Sequence, residues 1–270
     1  NKEYYKKYIE YDEENYFYYK GFSNLNDNVK FPLPKNININ MMPFIMSKNW
    51  NKTKLPDYLK EYYDNIISRC FYNKEQENKI YYLTIEESLI NEGKTQRRPG
   101  LHVECGGKVC ICNDLTNNEK KQISLDKGTG NWNCNNKHFI HPWGMGLYNR
   151  GIVDGIFMCS NVSDSCMLWD CRIVSDENEN EVIGNLGDIE HLRSSLPIPG
   201  KVMEKNKMYW ITDRTPHESL PMKSQIYRQF FRLVTENVGV WYEQHSTKNP
   251  KGVIPNSNIT RIIKKNKFNK

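Results

Sequence analysis

Three side chains that could hold a metal fall in an ordered pattern along this chain. His102 and Glu104 stand two apart in Leu101-His102-Val103-Glu104. On a strand, residues i and i+2 project to the same face, so both would look into one cavity. His217 follows the turn Asp213-Arg214-Thr215-Pro216, where Pro216 fixes its own φ and drives Thr215 extended. The expectation is an exposed histidine held at a strand–turn edge. Arg228 lies on the next apolar run, Ile226 to Val234, and Arg232 lies four residues further along the same face. Two imidazoles and one carboxylate fill one face of an Fe(II) ion and leave three positions open for a bidentate co-substrate and O2. A guanidinium grips the far carboxylate of a 2-oxo diacid with two parallel hydrogen bonds, which a lysine does less well. Arg228 is the first candidate for that role and Arg232 the second.

Each of these residues also has a plainer reading. His102 and Glu104 could be a hydrogen-bonded pair on a strand face, His217 a turn residue, and Arg228 the partner of a carboxylate such as Asp213. Asp170 and Asp213 are rival carboxylates, and Asp213 suits a turn cap. Cys134, His138 and His141, with Cys110 and Cys112 nearby, suggest zinc, but their spacing is not a standard zinc pattern. Cys159, Cys166 and Cys171 sit in apolar runs and read as small hydrophobes. Asp188 to Arg193 reads as a short charged helical turn, either a salt-bridged surface loop or a rim that contacts substrate. Trp143 and Trp169 suit either a pocket wall or a core. Arg97 and Arg98, just ahead of His102, could meet an anionic substrate.

The elements that must position these residues are mostly short strands. Runs at 101–104, 108–112, 151–162, 166–174, 181–184, 208–212 and 227–234 are separated by Gly, Asn, Asp and Pro, which argues for a sandwich or barrel. Residues 97–250 form the expected core, with a polar insert at 113–137. Residues 1–96 form an N-terminal support, irregular around Pro32, Pro34 and Pro43. Within it Pro56 to Phe71 carries Leu59, Tyr62, Tyr63, Ile66 and Ile67 at helical spacing, with Pro56 and Asp57 as start signals. Lys79 to Thr84 reads as a strand and Ile85 to Glu92 as a turn or short helix. Residues 251–270 read as a basic, solvated tail.

A chain of 270 residues can bury a sizeable core. The charge of +6, from 38 basic and 32 acidic residues, is too small and too scattered for a nucleic-acid footprint. Eight cysteines, with no signal peptide in view and no need for staples at this size, suggest reduced thiols in an intracellular, cytoplasmic protein. No apolar run is long enough to span a membrane.

The order His102-x-Glu104, then His217, then Arg228, within about residues 97–250, resembles the Fe(II)/2-oxoglutarate-dependent dioxygenases, and the strings RRPGLHVE, TDRTPHESLP and YRQFFRLV are similar to an uncharacterised subgroup of no named substrate. Glu104 stands where most of that family carries Asp, and H-x-E belongs to a minority that includes clavaminate-synthase-like enzymes. The resemblance implies a mainly β fold: a double-stranded β-helix, jelly-roll or cupin-like, with N-terminal helical support. It implies Fe(II) on His102, Glu104 and His217, and 2-oxoglutarate on Arg228 or Arg232. The reaction would hydroxylate, or demethylate, a substrate and release succinate and CO2. A small molecule or a protein side chain is favoured as substrate over nucleic acid. Two other readings compete: a non-catalytic jelly-roll binding protein with ordinary histidines, and a cupin-like metalloenzyme that needs no oxo-acid.

Overall fold

The computed structural model describes residues 5–10, 28–71, 73–104, 108–109, 139–140, 142–148, 152–174, 182–196 and 199–268. The described chain is mainly β, with several antiparallel sheets and few helices. Ten of its strands are β1 (Asn38–Ile45), β2 (Ile80–Ile90), β3 (Ile156–Ser160), β4 (Cys166–Leu168), β5 (Lys201–Val202), β6 (Tyr209–Ile211), β7 (His217–Ser219), β8 (Ile226–Val234), β9 (Val240–Tyr242) and β10 (Arg261–Ile263). A five-stranded sheet runs in the order β6-β3-β8-β2-β1, and a smaller one in the order β5-β4-β7. His102 extends the smaller sheet through single bridges to His217 on one side and Asp188 on the other.

The pairing is nested. β2 pairs with β8, His102 with β7, β3 with β6, and β4 with β5, all antiparallel. In chain order these are the first with the last, the second with the second-last, and so on inward. Members of the nest also alternate between the two sheets: β2, β3, β6 and β8 lie in the larger, and His102, β4, β5 and β7 in the smaller.

Side chains sort by the period of two that a pleated strand imposes. On β8, Phe230 and Val234 join a core cluster that also holds Met158, Tyr209 and Ile211 from the larger sheet and Cys166 and Leu168 from the smaller. Phe231 and Leu233 face the other way, into a second cluster with Leu59, Tyr62, Ile66 and Ile67. Pro56 to Phe71 therefore covers the outer face of the larger sheet, as its apolar spacing indicated. It is not one helix: short 3-10 turns at Asp57–Leu59 and Ile67–Cys70 flank an α-helix at Lys60–Asn65. The break falls at Ile66, with φ −130°, the first of two adjacent β-branched residues, Ile66 and Ile67.

Two expectations for the N-terminal support are overturned. The segment around Pro43 is a strand, and it tolerates proline because β1 is the edge of its sheet, where an N–H need not enter the ladder. Ile85 to Glu92 is no turn or helix, for β2 continues to Ile90. Its two glutamates are accommodated differently on the two faces. Glu87 is buried, accepting from the Tyr62 hydroxyl (2.7 Å), the Gln229 amide (2.8 Å) and the backbone N–H groups of Lys35 and Ile37. Glu86, on the opposite face, pairs with Arg97 at 2.8 Å. The run at 181–184 also differs: residues 182–184 form a turn with Val182 and Ile183 buried. At the other end of the chain, β10 pairs in parallel with β9 rather than trailing into solvent.

Candidate metal centre

β7 lies between β4 and the His102 bridge, so its inward side chains are enclosed. His217 is accordingly buried, at 5 % exposure, and not exposed as its turn position suggested. The backbones of His102 and His217 exchange both hydrogen bonds, at 3.0 and 2.9 Å, and the ring centroids stand 4.4 Å apart. Glu104 follows on the same strand segment and brings Oε1 to 3.7 Å from His217 Nε2. One ligand atom from each of His102, Glu104 and His217 can be chosen so that all three lie within 4.8 Å of one another. Among the described residues this is the one cluster of three or more His, Cys, Asp or Glu side chains that could hold a metal ion.

Both imidazoles are fixed in the tautomer a metal requires. His102 Nδ1 lies 2.7 Å from the Gly100 carbonyl, and His217 Nδ1 lies 2.9 Å from the Thr215 carbonyl. A carbonyl only accepts, so each Nδ1 carries a proton and Nε2 is the nitrogen left to bind a metal. Burial, together with His217 and Arg98, pushes the His102 imidazole well below its ordinary range, which keeps it neutral. Burial alone would push the Glu104 carboxyl up, but Arg232 and His217 outweigh it and hold the group well below the usual carboxylate range. Two imidazoles beside an ionised carboxylate are the donor set that suits a divalent first-row cation.

The segment that carries His102 is held from outside the sheet. The Glu190 carboxylate accepts the Leu101 N–H at 3.0 Å, and Arg193 ties Glu190 to Glu218, the neighbour of His217. The charged stretch at 188–193 thus leads into a 3-10 helix, Glu190–Ser195, whose salt bridges position the His102 segment. Trp169 packs beside it under Arg193, away from the cleft.

The three candidate ligands open into a cleft of about 690 Å³, its mouth included, where Arg228 and Arg232 also emerge from β8. The two arginines are placed differently. Arg232 is tied to Glu104 by a short ion pair and reaches Thr84 Oγ1 at 3.3 Å. Arg228, only 1 % exposed, donates through Nε to Ser160 Oγ at 3.2 Å. Its Nη1 is buried with no hydrogen-bond partner, as are Ser219 Oγ and Arg232 Nε in the same cleft. Three buried polar atoms left open in one pocket are costly unless a ligand completes them. Arg228 does not pair with Asp213, which is buried and accepts the Trp143 N–H at 3.2 Å.

Sequence reasoning missed several wall residues. Ser219 was within reach of it, since it stands two residues beyond His217 on the same face. Phe230 lies between Arg228 and Arg232 on β8, yet its side chain shares their face for the same period-two reason. His245, Lys267 and Phe268 had no local signal; they reach the cleft because the chain returns through β9 and β10. Trp143 lines the cleft and Cys166 is a free, buried thiol in its wall, pushed up to about 12 by burial. Cys159 and Cys171 are buried and free, as their apolar surroundings suggested. The possible zinc set of Cys110, Cys112, Cys134, His138 and His141, and the insert at 113–137, lie outside the described residues.

Compared with known protein families, with curated proteins and with solved structures, the chain shows no match. Among the described residues no helix is long and apolar enough to cross a membrane.

Proposed function

We propose that this chain is a non-haem Fe(II)/2-oxoglutarate-dependent oxygenase built on a double-stranded β-helix. The observation that carries the reading is the convergence of His102, Glu104 and His217 in the cleft into which Arg228 turns an unsatisfied Nη1. The nested pairing supports the fold, because a long hairpin rolled up so that its strands alternate between two sheets is how a jelly roll is wound.

The residues present fit both absent groups. His102 Nε2, His217 Nε2 and a Glu104 oxygen would hold the iron, with Arg232 restraining the carboxylate from behind. Arg228 and Ser219 would receive the far carboxylate of 2-oxoglutarate, supplying one charged donor and one hydroxyl that otherwise lack partners. Together the ion and the oxo-acid supply activation of O2, release of succinate and CO2, and insertion of oxygen into a substrate C–H bond. The chain itself orients the ligands through the Gly100 and Thr215 carbonyls, which leave each Nε2 to bind the metal, and walls the site with Trp143, Met158 and Phe230.

Calorimetric titration of the metal-free protein with Mn(II), a redox-stable stand-in for Fe(II), tests the centre. Stoichiometric binding that is lost in His217→Ala is expected. Equal binding by both proteins would remove the basis for the reading. A cupin-like enzyme without an oxo-acid would bind the metal but show no strengthening on addition of 2-oxoglutarate, and no dependence on Arg228.

A further inference from the structure

The edge strand β1 is irregular at one point, and there it faces the cleft. Ile39 pairs with Ile85 and Met42 with Leu83, so two residues, Asn40 and Met41, stand opposite the single residue Thr84. This is a β-bulge, which bends its strand and re-aims a side chain. Ile39, Met42 and Phe44 pack in the outer core cluster, Met41 packs in the inner one, and Asn40 lines the cleft. Met41 takes φ +48°, a left-handed conformation that costs a residue with a Cβ. It is held from both sides: its N–H donates to Thr84 Oγ1 at 3.1 Å, and its carbonyl accepts the Trp241 indole N–H at 2.7 Å.

Asn40 is fixed as tightly. Its backbone N–H donates to Thr247 Oγ1 at 3.0 Å, its carbonyl accepts the Thr247 N–H at 2.7 Å, and its Nδ2 donates to the His245 carbonyl at 2.8 Å. A carbonyl only accepts, so the side-chain amide cannot be turned over, and Oδ1 points elsewhere. Among the described residues this buried Oδ1 has no hydrogen-bond partner.

Arg232 stands in the same row of the larger sheet, since it pairs with Thr84 across β8 and β2. Its Nη1 goes to Glu104 and its Nη2 to Thr84 Oγ1 at 3.3 Å, while its Nε is buried without a partner. The backbones of β1 and β8 are two strand spacings apart, about 10 Å, so Asn40 and Arg232 flank the space over Thr84. One orphaned acceptor and one orphaned donor border that space, and leaving either unmade is costly. Arg228, the oxo-acid residue, lies four residues away along β8, roughly 13 Å.

A group that completes both must accept a hydrogen bond at one atom and donate one at another. A carboxylate would meet Asn40 Oδ1 acceptor to acceptor, and an ammonium would meet Arg232 charge to charge. A carboxamide carries both functions on neighbouring atoms and has no charge. We infer that the molecule oxidised at this centre presents a carboxamide between Asn40 and Arg232, its carbonyl accepting from Arg232 Nε and its N–H donating to Asn40 Oδ1. That this molecule is a substrate rests on the oxygenase reading above; the carboxamide site does not.

The test uses the full chain, first metal-free and then with Mn(II) and saturating 2-oxoglutarate. Five probes that share one ring are titrated by calorimetry: benzamide, acetophenone, benzyl alcohol, benzoate and benzylamine. Benzamide is expected to bind about tenfold more tightly than acetophenone, which keeps the carbonyl but leaves Asn40 Oδ1 unpaired. That preference should fall at least fivefold in Asn40→Ala, and Asn40→Asp should shift it toward benzylamine; thermal unfolding checks that both variants fold. The ranking in the parent protein decides the matter even if neither does. Equal affinity for benzamide and acetophenone, tighter binding of any other probe than benzamide, or a preference untouched in folded Asn40 variants would overturn the inference. Each of these can occur while Mn(II) and 2-oxoglutarate bind as proposed, which leaves the oxygenase reading standing. A benzamide preference that depends on Asn40 in a protein that binds no metal would sustain the carboxamide site and remove that reading.

Discussion

His102 and His217 form one rung of a ladder: each donates its backbone N–H to the other's carbonyl, at 3.0 and 2.9 Å. Residues that exchange both bonds in this way are directly opposite, so their side chains leave the same face side by side. The sheet therefore brings together two imidazoles that the sequence keeps far apart. Removing either ring leaves the backbone rung in place, and His217→Ala should fold. Its Mn(II) affinity should fall by about a hundredfold or more, beyond the 10–100-fold typical of a lost outer partner. Thermal unfolding with and without Mn(II) checks this: the metal should raise the midpoint of the parent protein and not that of the variant.

The ion pair between Arg232 and Glu104 is buried, with side-chain exposures of 3 % and 12 %. Replacing Arg232 by Met leaves the Glu104 carboxylate buried without its ion-pair partner, which costs about 3–5 kcal/mol in comparable sites. Adding Glu104→Gln should recover most of that loss, because both charges are then gone. Urea unfolding of the parent, the two single variants and the double variant measures the coupling. Additive losses would show that the pair does not act as a unit.

Gly155 sits at φ +100°, and a Cβ built there would lie 2.2 Å from Trp210 Nε1, whose N–H donates to the Asp154 carbonyl at 2.7 Å. Gly155→Ala therefore combines a disfavoured backbone conformation with a clash against a buried indole. A loss of about 2–4 kcal/mol is expected from strain and overpacking together. The same substitution at Gly93, which also has positive φ but open space around its Cβ, should cost about 1 kcal/mol from the backbone alone.

Asp213 is buried beneath the Trp143 wall, and burial pushes its carboxyl up to about 7 despite Arg214 and Arg172 nearby. The folded chain thus keeps a proton that the unfolded chain sheds near 4. Its contribution to stability is full below about pH 4 and is lost as pH rises through about 7. Asp213→Asn removes this titration. The variant should gain stability relative to the parent between pH 4 and pH 8, by at most about 4 kcal/mol. Parallel pH-dependent unfolding curves for the two proteins would show that Asp213 is not the group responsible.

Much of the site was legible because strand periodicity is simple. His102 with Glu104, and Arg228 with Arg232, share faces for reasons of spacing alone, and β8 runs from Ile226 to Val234 as its apolar pattern indicated. What sequence could not show was partnership across the fold. Ile85 to Glu92 looked like a turn or short helix because nothing local announces Arg97, Tyr62 and Gln229 as the partners of Glu86 and Glu87. His217 looked exposed because its burial comes from β4 and the His102 segment on either side. Pro43 suggested irregular chain because edge position is a property of the sheet, not of the residue. Lys267 and Phe268 reached the cleft only through the parallel pairing of β9 and β10.

The central claim is that His102, Glu104 and His217 hold Fe(II) beside an oxo-acid site at Arg228. Anaerobic absorption spectroscopy addresses it directly, with Fe(II) and then 2-oxoglutarate added to the metal-free protein. A visible charge-transfer band should appear only when both are present, vanish in His217→Ala, and require more 2-oxoglutarate in Arg228→Ala. If neither addition changes the spectrum or the unfolding temperature, the three side chains are a hydrogen-bonded cluster and the oxygenase account is wrong.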